Sequence, residues 1–140
     1  MFEVIEIAVP GAEWMLGNKQ PIIANDYEFY EGRKDYAKNV AGGYYAAEIA
    51  VLEYLKKIKR QAAAIVMREI RPEYYAPVGV WKIRECLRDA FSKKPIIVSS
   101  LKEAIERVDK NFVVKSNVWK EKSVLIKFLE EQRTLFMKSL

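Results

Sequence analysis

Apolar and acidic residues alternate at the start of the chain, in the segment FEVIEIAV (residues 2–9). A period of two is typical of a β-strand with one buried face, and Pro10 followed by Gly11 ends it. A second apolar run, AAAIVMREI (62–70), is continuous and has a β-branched centre, which favours a central strand buried on both faces. We also expect short strands at Ile22-Ile23, in PIIVSS (95–100) and in NFVVKSN (111–117).

Helical periodicity occupies the segments between these strands. From residue 34 to 60 the apolar positions fall on one face, which predicts a long central helix. Its Gly42-Gly43 pair costs about 1 kcal/mol per residue against alanine, so we expect it to permit close approach of another backbone or of a ligand. Pro77 begins a second helix that runs to Ser92, a capping box at Ser100 and Glu103 opens a third, and an amphipathic helix follows Val118.

These elements predict a single domain over residues 1–140. Its class is α+β or three-layer α/β, with a small mixed sheet packed by the long central helix. No apolar run approaches the roughly 20 residues of a membrane-spanning helix. Glu3 and Glu6 stand where a secretion signal would carry basic residues. We therefore expect a cytoplasmic protein without a membrane partner.

The charge is unevenly placed along the chain. Residues 1–31 carry a net charge of −5, and residues 32–140 carry +10. A basic body attracts nucleic-acid phosphates, although a solvated lysine-rich surface has the same composition. The high Lys, Glu, Ile and Tyr counts favour a thermophilic source.

The chain contains no histidine and one cysteine, Cys86. This composition excludes Ser-His and Cys-His nucleophile pairs and the usual zinc sites. We expect no cofactor and assign no metal site. Asp26, Glu28 and Glu69 are the acids that a metal-dependent nuclease would use, but their spacing is nonspecific. We therefore assign no catalytic residue and favour a non-enzymatic protein, with the nuclease as an alternative.

Glu48 projects from the middle of the apolar face of the central helix. An unpaired carboxylate buried there would cost several kcal/mol, so this buried charge needs a partner. An internal ion pair with an arginine is the favoured interpretation. The functional alternative is a site carboxylate with a raised pKa.

Rigid aromatic residues are concentrated in the segment RPEYYAPVGVW (71–81). On the helix that follows, tryptophan and arginine recur on one non-core face. Such a surface can stack bases and hold phosphates, whereas the alternative is that the two tyrosines are core residues that dock on another domain. The candidate nucleic-acid or partner-binding residues are Arg33, Lys34, Arg60, Gln61, Arg68, Arg71, Tyr74, Tyr75, Trp81, Arg84 and Arg88.

Four blocks in a fixed order carry a resemblance to a known family: ANDYEFYEGRKDYA, AGGYYAAEIAVLEYLKKIKRQAA, MREIRPEYYAPVGVWKIRE and FLEEQRTLF. Together they resemble the C-terminal half of the archaeal Nre family of DNA repair proteins. The resemblance implies a role in DNA damage repair, with DNA and the sliding clamp PCNA as partners, and it brings no established catalytic residue. Because family members carry a larger N-terminal half, an Nre N-terminal domain or subunit is a further expected partner. A scaffold that binds only protein is the remaining alternative.

The tail QRTLFMKSL (132–140) matches a clamp-binding peptide only in part. Gln132 and Leu135 fit the pattern, but Lys138 and Ser139 occupy the positions of the two aromatic residues. Phe136 and Met137 can fill a clamp pocket only if the backbone shifts register, which predicts weak clamp binding. The alternative is that Phe136 packs the final helix on the domain and Gln132 is a surface residue.

Overall fold

The computed structural model describes residues 1–12, 18–74 and 79–138, with side chains as far as residue 132. Three strands form one mixed sheet in the order β2-β1-β3, in which β1 is antiparallel to β2 and parallel to β3. The sheet and five helices form a single α+β domain, which confirms the predicted class. The elements are β1 (Phe2–Ala8), β2 (Ile22–Glu28), α1 (Gly42–Ile58), β3 (Ala64–Ile70), α2 (Trp81–Ser92), α3 (Leu101–Asn111), α4 (Ser116–Trp119), a 3-10 turn (Lys120–Lys122) and α5 (Val124–Lys138).

Helices cover both faces of the sheet, so the domain has three layers. Phe2 and Val4 of β1 face α1 and α2, where they pack against a cluster that includes Tyr44. Ile5 and Ile7 face the other way and pack in a second cluster with residues of α3, α4 and α5. β1 is therefore buried on both sides, as the hydrophobic effect requires of the middle strand of a small three-layer domain.

The predicted position of β3 is wrong. The apolar run 62–70 was expected to form the central strand, but β3 begins at Ala64 and lies at an edge of the sheet. The central strand is β1, although its sequence alternates. Its acids are accommodated inside the protein: Glu3 is fully buried and Glu6 pairs with Arg68. An alternating pattern therefore marks a strand buried on both faces here.

The central helix begins eight residues later than predicted, at Gly42. The segment before it is held in a loop by Asp26 of β2, whose carboxylate accepts hydrogen bonds from the backbone N–H groups of Lys38, Asn39 and Val40 at 3.3, 2.9 and 2.6 Å. These tertiary hydrogen bonds replace the helical ones.

Two predicted short strands are absent from the described residues. Residues 95–100 form no strand, and Ile97 in that segment is 90% exposed. Residues 112–115 connect α3 to α4 because the Glu69 carboxylate accepts the N–H groups of Val113 and Val114. In contrast, Ser100 accepts a hydrogen bond from the Glu103 N–H at 3.1 Å, as the predicted capping box requires.

Helices α1 and α2 run side by side in the same direction. Near their starts, a Cβ added to Gly43 would lie 3.0 Å from Ile83, so the glycine permits close packing of the two helices. Near their ends, the rings of Tyr54 and Phe91 stack at 4.3 Å. The carboxyl ends of both helices therefore lie together. None of the described helices is both long and apolar enough to cross a membrane.

Candidate nucleic-acid and partner interface

A groove of about 800 Å³ lies between β3 and α2. Within the described part of the chain β3 pairs only with β1, so the outer edge of β3 has no strand partner. An unpaired strand edge offers backbone donors and acceptors to another chain. The β3–α2 groove is lined by residues 66–71 on one side, by Lys82, Ile83, Cys86, Leu87 and Ala90 on the other, and by Glu73 and Tyr74.

The structure distributes the predicted binding residues over several places. Arg68, Arg71 and Tyr74 meet in the β3–α2 groove, and Tyr74 is 43% exposed. Other candidates lie outside its lining: Trp81, Arg84 and Arg88 on α2, Arg33 and Lys34 between β2 and α1, and Arg60 and Gln61 after α1. Tyr75 and Pro77 lie outside the described residues. Trp81 is 57% exposed, in agreement with a non-core position.

Several of the predicted arginines are held by acids of the same chain. Arg68 lies 3.1 Å from Glu6, and Arg71 lies 2.7 Å from Glu69. Arg88 donates two hydrogen bonds to Glu53, at 2.7 and 2.9 Å, and one to Glu85. An arginine whose donors are used in this way has less charge and fewer N–H groups to offer to a phosphate.

Sequence reasoning named only Arg60 of a second basic surface, which lies at the shared carboxyl end of α1 and α2. We call this surface the basic end, and it comprises Lys56, Lys57, Lys59, Arg60, Lys93 and Lys94, all of them exposed. Within the described ion pairs, only Lys93 has an acidic partner, Asp89 at 2.7 Å. The sequence signals were the runs KKIKR and KK, but only the parallel packing of two helices shows that they share one end.

The three acids of the alternative nuclease hypothesis do not converge. Asp26 is 5% exposed, holds the loop before α1 and lies 3.5 Å from Arg33. Burial alone would raise the pKa of Glu69, but hydrogen bonds from Val114, Val113 and Arg71 hold that pKa below its ordinary value. In the described ranges no three or more Asp, Glu or Cys side chains gather closely enough to hold a metal ion.

The third acid, Glu28, lies beside Glu48. Burial raises the pKa of the Glu48 carboxyl, the neighbouring Glu28 carboxyl raises it further, and Arg33 opposes both. Glu48 is half-buried, and no ion pair within the described chain joins it to an arginine or lysine. The favoured prediction of an ion pair is therefore wrong, and a functional role for this carboxyl stays a prediction.

The C-terminal segment is described only in part. The main chain of α5 is helical as far as Lys138, and Gln132 on it is exposed. The side chains of Leu135, Phe136 and Met137 lie outside the described residues. The clamp-binding motif of the tail therefore stays a prediction.

The described residues form an α+β domain with a basic end and an open-edged groove, and comparison with known proteins identifies its family. The family model "Archaeal Nre, C-terminal" matches residues 28–137. The chain belongs to the archaeal Nre family and comprises its C-terminal domain, which confirms the resemblance.

Three curated relatives show how much of the longer proteins this domain represents. The chain is 40% identical to DNA repair protein NreA of Haloferax volcanii over 111 residues, which are 76% of this chain and 26% of that protein. It is 38% identical to DNA repair protein NreB of Archaeoglobus fulgidus over 135 residues, 96% of this chain and 34% of that protein. DNA repair protein NreA of the same organism is 38% identical over 119 residues, 85% of this chain and 29% of its own length. The chain therefore spans about a quarter to a third of these relatives, and no solved structure matches it.

Proposed function

We propose that this chain is a DNA-binding domain that acts in DNA repair in the cytoplasm and does not itself cleave DNA. The names of its relatives, which are DNA repair proteins, support the repair role. Because the chain corresponds to about a third or less of those proteins, it supplies one part of their activity. The observation that carries the DNA contact is the basic end.

The basic end suits phosphate contact because its charges are exposed and mostly uncompensated. Lys56, Lys57, Lys59 and Arg60 take part in none of the described ion pairs. Each cation that neutralises a phosphate releases a condensed counterion, and this release dominates sequence-independent affinity for DNA. The contact is expected to tolerate any sequence, since phosphates position a protein while base edges specify the sequence.

Binding without cleavage is supported by the hydrogen bonds that the candidate nuclease acids already accept. Asp26 and Glu69 use their oxygens to hold the backbone of two loops, so they have little capacity left for a metal ion. Removing either carboxylate would leave backbone N–H groups without an acceptor. Both acids are thus explained by the fold.

The proposal is tested by titrating fluorescent single- and double-stranded DNA at several salt concentrations. For the intact chain, the logarithm of the affinity is expected to fall linearly with the logarithm of the salt concentration. A variant with Lys56, Lys57, Lys59 and Arg60 all changed to alanine is expected to lose about 0.9 from the duplex slope for each phosphate contact removed.

A matched control changes four exposed lysines of the opposite layer, Lys102, Lys110, Lys122 and Lys127, to alanine. Both variants lose the same number of positive charges, so a general charge effect would reduce the two slopes equally. Equal slopes in the two variants, or no binding by the intact chain at low salt, would contradict the proposal.

We further propose the sliding clamp PCNA as a weak partner of the C-terminal segment. Support comes from the family resemblance and from the exposure of Gln132 on α5. Calorimetry against an archaeal PCNA is expected to give a small signal that disappears in a Leu135→Ala, Phe136→Ala double variant. Equal signals from both proteins, or none from either, would contradict this proposal.

A second candidate function is docking of the N-terminal part of an Nre protein in the β3–α2 groove. Two observations favour that occupant: the open edge of β3, and the part of each curated relative, about two thirds or more, that lies outside the match. Cys86 lines the groove, is exposed and is the single thiol of the chain. A bulky maleimide attached there is expected to block association with a separately produced N-terminal part of the Archaeoglobus NreB. Unchanged association of the labelled chain would rule out the groove, and Cys86→Ala treated with the same reagent is the control.

A further inference from the structure

The loop that joins α2 to α3 presents two isoleucines to solvent. Ile96 is 68% exposed and Ile97 is 90% exposed, and Pro95 before them is exposed as well. Isolated apolar residues are common on protein surfaces. Two consecutive isoleucines with most of their surface in water are less so, because burial of either side chain is favourable. We call residues 95–97 the apolar tip.

The loop is anchored at both ends, so the apolar tip has a defined position. At the α2 end, the Lys93 N–H donates a hydrogen bond to the Ala90 carbonyl at 3.1 Å. At the α3 end, the Glu103 carboxylate accepts hydrogen bonds from the N–H group and the hydroxyl of Ser99, at 3.0 and 3.1 Å. Between these anchors, Pro95 fixes its own φ and favours an extended backbone at the residue before it. A tip that is already ordered loses less entropy when it inserts into a partner.

The apolar tip lies beside the basic end. Lys93 and Lys94 belong to the basic end and come directly before the tip. The stacked rings of Tyr54 and Phe91 hold the last turns of α1 and α2 together, so the lysines that follow Tyr54 lie at the same end of the domain. Ile58, at the end of α1, adds a third exposed isoleucine there. Exposed isoleucines and cations therefore share this end.

The charge of this end indicates which kind of partner the apolar tip meets. The acids closest to the tip in sequence are already paired, Asp89 with Lys93 at 2.7 Å and Glu103 with Arg107 at 3.3 Å. Protein interfaces are depleted of lysine, whereas DNA contacts use lysine and arginine to neutralise phosphates. The cations around the tip therefore favour a nucleic acid as its partner.

We propose that the apolar tip inserts between base pairs of duplex DNA from the minor groove, while the basic end holds the flanking phosphates. This inference rests on the proposed DNA binding by the basic end and adds the way in which the duplex is deformed. Isoleucine and proline are among the side chains that wedge base steps apart, and such wedges bend DNA by about 20 to 90°. The minor groove is only about 6 Å wide, so a narrow loop enters it more easily than a helix does.

Insertion of the apolar tip implies a preference for damaged duplexes. A base step at a mismatch is already weakened, so separating it costs less than separating an intact step. We expect the chain to bind a duplex with one central mismatch about tenfold more tightly than the matched duplex, because part of the unstacking cost is then absent. Such a preference would concentrate the domain at distorted sites.

The test measures bending by energy transfer between fluorophores at the two ends of a short duplex that is saturated with protein. A fluorescent base analogue at the central step reports unstacking. The intact chain is expected to raise both signals. An Ile96→Ala, Ile97→Ala double variant keeps every cation, so it is expected to retain the salt dependence of binding and to lose both signals and the mismatch preference.

The matched control is an Ile49→Ala, Leu52→Ala double variant, which removes an equal amount of apolar side chain from exposed positions of α1. It is expected to bend DNA like the intact chain, and circular dichroism checks that both variants are folded. Binding by the intact chain without bending, or equal bending by the two variants, would overturn the insertion and leave the DNA contact standing. No duplex binding at low salt would overturn both.

A separate measurement distinguishes a protein partner of the apolar tip. The Ile96→Ala, Ile97→Ala variant is expected to associate with the N-terminal part of the Archaeoglobus NreB as the intact chain does. Loss of that association, together with unchanged DNA bending, would assign the tip to protein docking and overturn the proposal.

Discussion

Each face of the sheet carries a glutamate from a strand, and the two glutamates have different neighbours. On the α5 face, Glu3 is fully buried and accepts four hydrogen bonds: from Asn25, from the Ser123 hydroxyl, and from the N–H groups of Val124 and Leu125, at 2.7 to 3.0 Å. On the α1 face, Glu28 lies beside a second acid, Glu48, and beside the Tyr44 hydroxyl, and the Glu28 carboxyl raises the pKa of both groups.

This comparison distinguishes an acid that stabilises the fold from a pair of acids that do not. Glu3 lies at the N-terminus of α5, where unpaired backbone N–H groups and the helix dipole favour a negative charge. Each of its oxygens already has two donors, so nothing further can bind there. Within the described hydrogen bonds neither Glu28 nor Glu48 accepts a backbone N–H group, and the proximity of Glu28 raises the pKa of Glu48.

The largest effect that the comparison predicts is on Glu3. Glu3→Ala leaves the N–H groups of Val124 and Leu125 and the Ser123 hydroxyl buried without an acceptor. At about 1 to 3 kcal/mol for each such group, we expect a loss of at least about 3 kcal/mol in the free energy of unfolding, measured with urea. Glu121→Ala, an exposed acid close to the same helix, is the control. Equal losses in the two variants would show that Glu3 does not hold α5.

Much of the fold followed from periodicity because the strands and the long helix obey local rules. Three of the misplaced elements share one physical cause: a buried carboxylate accepts hydrogen bonds from backbone N–H groups that sequence periodicity would place in a helix or strand. Asp26 does so before α1, Glu69 does so after α3, and Glu3 interrupts the expected final helix at Ser123. These contacts join residues 12 to 122 positions apart, which no window of sequence can detect.

Glu69 is predicted to have the next largest effect. Glu69→Gln keeps one oxygen but loses the ion pair with Arg71 and one acceptor for Val113 or Val114. We expect a loss of about 1 to 3 kcal/mol in the free energy of unfolding at neutral pH.

The pH dependence of the Glu69 effect has a definite sign. The pKa of Glu69 is lower in the folded chain than its ordinary value of 4.5. The contribution of Glu69 to the free energy of unfolding is therefore fully present above pH 4.5, and it is lost as the pH falls through the lowered pKa. The difference between wild type and Glu69→Gln is therefore expected to shrink in acid urea titrations. A difference that grows in acid would contradict the hydrogen bonding described for this carboxylate.

Glu48 is expected to show the opposite sign and a smaller effect. Burial and the Glu28 carboxyl raise its pKa above 4.5, so the folded chain loses stability as the pH rises from 4.5 through the raised pKa. Glu48→Gln removes the charge, and we expect this variant to be more stable than wild type at neutral pH. Urea unfolding at pH 4 and pH 7.5 measures the difference. A less stable variant at pH 7.5 would show that the two acids do not repel.

The candidate site was less predictable than the fold because residue type does not reveal the partner of a charge. Arg68 and Arg88 have the sequence signature of phosphate-binding residues, but each is held by acids of the same chain. Lys56 and Lys94 belong to short basic runs that looked like ordinary solvated surface. Only the parallel packing of α1 and α2 places these runs at one end of the domain.

The smallest expected effect is that of Arg88→Ala, which tests whether an exposed ion pair contributes to stability. The pKa of Glu53 is lowered by its hydrogen bond to Arg88, but both side chains are more than 40% exposed, and exposed ion pairs contribute little to stability. We therefore expect no resolvable change in the urea midpoint. We also expect an unchanged salt dependence of DNA affinity, because two acids already hold the guanidinium. Arg60→Ala, which removes one arginine from the basic end, is the matched comparison and should reduce the duplex slope by about 0.9. If Arg88→Ala reduces the slope equally, Arg88 contacts a phosphate and α2 belongs to the DNA-binding surface.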